Sequence, residues 1–402
     1  MVGNRGKGTK SDCYVELELK ASGGVQLELK SKVNSLYGKA ISGLAREIMS
    51  FFEVRDAYLL IEDSGAVDFV LAARIEAAVK MLVSTNKEFL LPRLETNVGS
   101  TKRSTFRFSR LYLPGNSPKL MLNAGLHKPN GLILDLEDAV APEKKHEARF
   151  VVRNALRNLD FYGAERMVRI NQGDMGIEDL EYIVPQNVNL ILIPKCESDE
   201  DVLAVDAAIQ KLKTKNNPSN DIWLMPIIES AKGVINAYKI AAASKNISSI
   251  AIGLEDYTAD LGTHRTPEGN ESFFARSMVV NAARAAGVQP IDSVFSDVSD
   301  MEALAENARR SKGLGFDGMG CIHPRQIKVI HESFAPSATE IEKAKRIFLA
   351  FKEAKAKGLG VVSLGTKMID APVVKRAVNT ITVAVNIGVL DKDWERQAES
   401  QV

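Results

Sequence analysis

Three cysteines in 402 residues, at positions 13, 196 and 321, are too few and too scattered for a disulfide framework, and no CxxC spacing suggests zinc. Long apolar runs are also missing. None approaches the roughly 18–20 residues of a membrane helix, so no membrane association is expected. Lys7, Lys10 and Asp12 are followed by no apolar segment; no signal peptide is expected, and the chain reads as cytoplasmic. Excess charge is lacking as well: 52 Lys and Arg face 51 Asp and Glu, for a net charge of +1. No basic field is available to hold a phosphate backbone, which argues against nucleic acid. What remains is ordinary for a folded chain, 45% hydrophobic and 26% charged residues, and it excludes disorder. The length exceeds one average domain and suggests two, or one large one with an appendage.

From Tyr14 the pattern has period two. Val15, Leu17 and Leu19 alternate with charged residues, then, after Ser22-Gly23-Gly24, so do Val25, Leu27 and Leu29. This predicts a β-hairpin with one buried face. Apolar residues from Val33 to Phe51 recur at helical spacing. A strand from Ala57 to Ile61 and a helix from about Val67 to Leu82 follow, for a small ββαβα domain over 1–84. Residues 85–105 have no periodicity and read as an unstructured, mobile linker.

Beyond the linker, short apolar runs at 110–113, 131–136, 166–170, 190–194, 222–228, 249–253, 289–294 and 317–322 alternate with helical patterns such as 143–159, 199–213 and 272–286. Eight βα units over 106–336 predict an α/β TIM (β/α)8 barrel, with a doubly wound sheet as the alternative. Residues 337–402 are surplus to it and predict a C-terminal helical extension that caps a neighbouring subunit. Gly313-Leu314-Gly315-Phe316-Asp317-Gly318 spells GxGxxG but follows a helix and enters a strand, so it reads as a helix cap, not a dinucleotide site.

A barrel gathers its chemistry at the C-terminal strand ends. Here these ends carry Asp135, Glu137 and Asp138, then Arg169, Lys195, Glu229, Glu255 and Asp256, Asp292, and His323. Any one of these acids, taken alone, reads as a cap of the next helix. Several converging on one mouth repel each other, and a hard divalent cation such as Mg2+ relieves that. Arg169 and Lys195 supply charge for an anionic substrate. Lys195 could instead form a Schiff base, as in class I aldolases. His323, beside Pro324, reads as a turn residue.

At these motifs the sequence resembles a known family. RLYLPGN (110–116), DLEDAVAPEKK (135–145), VRIN (168–171), PK (194–195), IIES (227–230), GLEDY (253–257), RTPEG (265–269), IHPRQ (322–326) and GTKMIDAP (365–372) match the citrate lyase β subunit in order and spacing. That subunit is a citryl-carrier lyase of the HpcH/HpaI-like TIM-barrel group, related to malyl-CoA and citramalyl-CoA lyases. The stretch 51–79 resembles the citrate lyase γ subunit, an acyl carrier protein, so the resemblance implies a carrier–lyase fusion. It implies Mg2+ held by Glu229 and Asp256, with Glu137 and Asp138 as catalytic residues that hold metal-bound water. Arg169, Arg110 and Lys195 would bind substrate, and Asp370 from a neighbouring chain would exchange the enolate proton. Ser11 would carry a phosphoribosyl dephospho-CoA-type prosthetic group.

The activity implied is retro-Claisen cleavage of citryl-S-carrier to acetyl-S-carrier and oxaloacetate. The implied partners are the citrate lyase α subunit, a citrate:acetyl-carrier transferase, and further copies of this chain. Two departures stand out. The family's Gly-Lys entry to the eighth strand is Gly318-Met319 here, and the segment between Thr9 and Ser11 is short. The alternatives are a lyase or thioesterase acting on free CoA esters, and a carrier subunit without catalysis.

Overall fold

The computed structural model describes residues 1–216, 221–356, 358, 362–364 and 367–399. They divide into two compact units, 1–327 and 328–402.

The first unit opens with a four-stranded sheet of β1 (Val2–Gly3), β2 (Cys13–Leu19), β3 (Val25–Ser31) and β4 (Ala57–Asp63), in the order β1-β2-β4-β3. The expected hairpin does not form: β4 lies between β2 and β3, antiparallel to the first and parallel to the second. The reason is burial. Leu59, Leu60 and Ile61 of β4 are consecutive and buried, which suits a central strand, whereas β3 is exposed at alternate positions along an edge. The turn through Gly23 and Gly24 therefore spans two strand spacings, about 10 Å. Helix Asn34–Phe51 makes the crossover that parallel β3 and β4 require.

Helix Asp68–Lys80 is buried from Phe69 to Val79, on every side. Such a helix must be covered all round. The sheet covers one side and helix Lys145–Asn158 of the barrel the other. Buried Arg74 and Arg153 fix that contact. Arg74 donates from Nε and Nη2 to both Asp12 carboxylate oxygens at 3.0 and 2.9 Å, and its Nη1 lies 3.5 Å from Glu147. Arg153 on the barrel helix grips Glu76 through both terminal nitrogens. Arg157 holds the Leu91 carbonyl.

Residues 85–105, expected to be a mobile linker, are irregular but anchored. The buried Asn97 side chain donates to the carbonyls of Leu156, Arg157 and Leu159, and Arg103 donates to the Ile247 carbonyl.

The closed barrel runs β5 (Ser109–Pro114), β6 (Gly131–Asp135), β7 (Glu165–Arg169), β8 (Leu190–Ile193), β9 (Trp223–Ile228), β10 (Ser249–Ile252), β11 (Gln289–Asp292) and β12 (Gly318–Cys321), all parallel, with β12 closing on β5. All four residues of β8, Leu-Ile-Leu-Ile, are buried, as in a sheet covered on both faces. Ile133, Met167, Leu190, Leu192, Met225, Ile227, Ala251 and Ile291 fill its interior. Gly315, at φ 105°, ends helix Met301–Leu314 before β12, as the glycine-rich stretch predicts.

The second unit holds helices Ala338–Ala356 and Ala371–Asn386, joined through an antiparallel pair, β13 (Val362–Leu364) and β14 (Lys367–Ile369). Ala344, Ile347, Ile369, Ala377, Ile381 and Trp394 form its core. Val361, Gly365 and Thr366 of the C-terminal motifs lie outside the described residues.

Candidate active site

A cavity of about 280 Å³ opens at the C-terminal ends of the strands, lined by Arg110, Asp138, Arg169, Glu229 and Asp256 among others. Each strand delivers its residue where the backbone stops pairing, so the side chains converge. Arg169, the last residue of β7, donates from Nε and Nη2 to the two oxygens of Asp135 at the end of β6, at 2.7 and 2.6 Å. Its Nη1 lies 2.8 Å from Glu137, and its guanidinium stands 5.4 Å from the Tyr112 ring. The two bonds to Asp135 use two of the five guanidinium donors, and the approach to Glu137 is an ion pair outside hydrogen-bond geometry.

Lys195 follows β8 in a left-handed conformation at φ 48°. Its ammonium lies 3.3 Å from Glu137, 3.5 Å from Asp138 and 3.6 Å from Asp256. Burial pulls its proton affinity down, but these three carboxylates outweigh burial and raise it. A Schiff base needs the free amine, so this environment disfavours that alternative.

Glu229, ending β9, is only 6% exposed. Its Oε2 accepts the Lys195 backbone N–H at 2.9 Å. Burial pushes its carboxyl up to about 7, against the opposing pull of that N–H and of Arg169. Its position depends on Gly253, directly after β10. A Cβ there would stand 2.4 Å from Glu229 Oε1 and 2.6 Å from its Cγ. Burial also raises the Glu137 carboxyl, which hydrogen-bonds Gln172.

Among the described residues no three His, Cys, Asp or Glu side chains meet in a ligand cluster. Mg2+ does not need three. It commonly takes one or two carboxylates and fills its octahedron with water and substrate oxygens. Among the described residues no side-chain cation is bonded to the desolvated Glu229, and it lines the same cavity as half-exposed Asp256, which fits that ion.

Not every acidic strand end joins this group. Asp292 is withdrawn into an ion pair with Arg276 and accepts from Ser311, so it is no free mouth carboxylate. Glu255 is engaged by Arg265 at 2.7 Å. His323 accepts the Arg325 N–H and stabilises a turn, as expected. Asp370 lies in the second unit, where its carboxylate accepts Val373 N–H at 3.2 Å and caps helix Ala371–Asn386. Ser11 is half-buried at φ 54°, its N–H bonded to the Ser64 carbonyl. The next residue, Asp12, holds Arg74, which donates to the Asn116 carbonyl in the loop after β5. Sequence reading gave no role to Arg276, Gly253 or Tyr112; for Gly253 the signal was present, a glycine between strand and acidic pair.

Residues 109–324 match the family model described as HpcH/HpaI aldolase/citrate lyase, just over half of the chain. The chain belongs to that family. Residues 4–82 match the carrier-type model described as malonate decarboxylase delta subunit. The Haemophilus influenzae citrate lyase subunit beta is 42% identical over 274 residues, spanning 67% of this chain and 94% of that protein. The human mitochondrial citramalyl-CoA lyase is 32% identical over 332 residues, 79% and 97% of the two chains. Among solved structures, the Mycobacterium tuberculosis protein CitE in complex with magnesium, acetoacetate and coenzyme A superposes with a TM-score of 0.57, at 29% identity, covering 70% of this chain and 99% of that one. This member of the HpcH/HpaI family is thus a carbon–carbon lyase of the citrate lyase type with a carrier-like N-terminal domain. No described helix is long and apolar enough to cross a membrane.

Proposed function

We propose that the chain is a citryl-carrier lyase with its carrier fused in the same polypeptide, cleaving citryl-S-carrier to acetyl-S-carrier and oxaloacetate. The observation that carries this reading is the mouth itself: a desolvated Glu229 and Asp256 line one cavity with Arg169 and Arg110, and Lys195 lies 3.6 Å from Asp256. Glu229 and Asp256 would hold Mg2+, with Glu137 and Asp138 ordering the surrounding water. Bound there, the ion supplies Lewis acidity for charge developing on a hydroxyl oxygen.

The rest falls to the chain's own side chains. Asp135 and Glu137 fix the Arg169 guanidinium, so its remaining donors meet a carboxylate beside the hydroxyl without reorganisation. The hydroxyl proton leaves to a carboxylate of the mouth. The carbon–carbon bond then breaks, its electron pair moving onto the carbon beside the thioester, and a keto group forms at the former carbinol. The enolate carbon finally takes up a proton. Asp370 of a neighbouring copy is the proposed donor, which makes the enzyme a homo-oligomer.

Ser11 is the proposed attachment point of the phosphoribosyl dephospho-CoA-type arm. It sits next to the residue that ties the carrier sheet to the loop after β5, so the arm would start at the rim of its own barrel. Acyl exchange onto the arm would require a citrate lyase α subunit as partner. The test is intact mass of the protein from its native host, together with turnover of the carrier-bound citryl thioester. We expect an added prosthetic mass on Ser11, cleavage abolished by EDTA, and a Ser11→Ala protein that loses carrier-dependent turnover while still slowly cleaving citryl-CoA. An unmodified Ser11 in an active protein, or full turnover in EDTA, would overturn the reading.

A further inference from the structure

Four arginines are among the largest fully buried side chains: Arg74, Arg107, Arg110 and Arg153. Three have a carboxylate against the guanidinium, Asp12 for Arg74, Glu165 for Arg107 and Glu76 for Arg153. Arg110 has none. It enters the barrel interior from β5, 1% exposed. Its Nη1 lies 2.9 Å from the Met225 sulfur, its Nη2 only 3.4 Å from the Asp292 carbonyl, and its Nε has no partner. The carboxylate best placed to serve it, that of Asp292, is taken by Arg276 and Ser311.

A buried charge is retained only when something compensates it. Burial draws the Arg110 guanidinium down to about 10, which still leaves it a cation at neutral pH. The other cations of the mouth are already answered: Arg169 by Asp135 and Glu137, Lys195 by three carboxylates, Arg265 by Glu255. Arg110 lines the same cavity and is the one whose counter-charge the described residues do not supply. The wall beside it is bare, because Gly320 on β12 has no side chain. A Cβ there would stand 2.7 Å from Val294 Cγ1 and 3.7 Å from Arg110 Nη2.

We infer that Arg110 binds a second carboxylate of the substrate, the one on the methylene carbon, and so selects a keto-acid moiety with two carboxylates over one with a single carboxylate. This rests on the lyase reading above, and it refines that reading. A carboxylate beside the hydroxyl is met by Arg169 at the rim, whereas one a methylene further on reaches the deeper guanidinium. A keto acid without that second carboxylate leaves the Arg110 charge unpaired when it seals the cavity, so discrimination comes from an interaction lost and a buried ion left bare.

The test is binding of oxaloacetate and of pyruvate to the full chain with Mg2+, by calorimetry and by ligand-induced thermal shift, in wild type and Arg110→Met. We expect wild type to prefer oxaloacetate by at least about tenfold. We expect Arg110→Met to lose that preference while holding pyruvate as wild type does, and to unfold, ligand-free, no lower than wild type, since it removes an unpaired buried charge. Arg110→Gln serves as a second variant if the thioether packs poorly. Equal wild-type affinity for the two keto acids, or an equal loss of both in the variants, would overturn the assignment and leave the lyase reading standing. Failure of wild type to bind either keto acid would overturn both.

Discussion

Glu229→Gln should make the metal-free protein more stable, although it removes a residue of the proposed metal site. Burial raises this carboxyl from its ordinary 4.5 to about 7. Each tenfold change in proton affinity between folded and unfolded states is worth about 1.4 kcal/mol, so ionised Glu229 costs the fold about 3 kcal/mol at alkaline pH. The sign follows from the direction of the shift. A carboxyl raised by folding stabilises the protonated native state, fully below pH 4.5, and that contribution is lost as pH rises through about 7. The amide of the variant keeps the shape and the acceptor for the Lys195 N–H but does not titrate. Unfolding followed in EDTA at pH 5 and pH 8 should show the variant gaining on wild type between the two, by up to about 3 kcal/mol. Mg2+ should then restore wild type at pH 8 and leave the variant unchanged. A variant no more stable than wild type at pH 8, or one stabilised equally by Mg2+, would refute the argument that this carboxylate waits for a cation.

Gly253 has φ −111° and ψ 107°, a conformation open to alanine, so Gly253→Ala acts only by displacing Glu229; Mg2+ affinity measured by calorimetry should fall at least about tenfold while the protein still folds. Arg169→Lys keeps the charge but cannot hold Asp135 through two parallel donors and still present a fork to substrate. Its kcat should fall by about 100-fold, and a variant as fast as wild type would place the clamp elsewhere.

The barrel was legible because each of its strands is a short buried run between helical patterns, and a closed parallel ring of eight accepts those runs in chain order. The carrier-like sheet was legible only in its elements. Alternation in β2 and β3 says which face is buried but not which strand pairs with which, and β4 took the central place because its apolar residues are consecutive. Residues 85–105 looked free because the groups holding them, such as the Arg157 guanidinium on the Leu91 carbonyl, bond to main chain and leave no pattern in the held segment. The mouth was read correctly as acidic, yet Asp292 is spent on Arg276 from a helix sixteen residues away, and Arg110 is left without an acid. Pairings of that kind are decided by tertiary geometry.

The joint between the carrier-like sheet and the barrel also bears on what joining them in one chain accomplishes. Its hold comes from Arg74 and Arg153, each buried against acids of the opposite part or of the seam, and stripping one partner from such a pair costs about 3–5 kcal/mol. Separated, either half would face water with a helix flank and a set of charges shaped for the other. The peptide connection is then not what keeps them together; it guarantees one carrier-like domain per barrel. A two-gene version of the same surfaces would assemble anyway but would depend on matched synthesis, and this chain has made that ratio a matter of covalent structure.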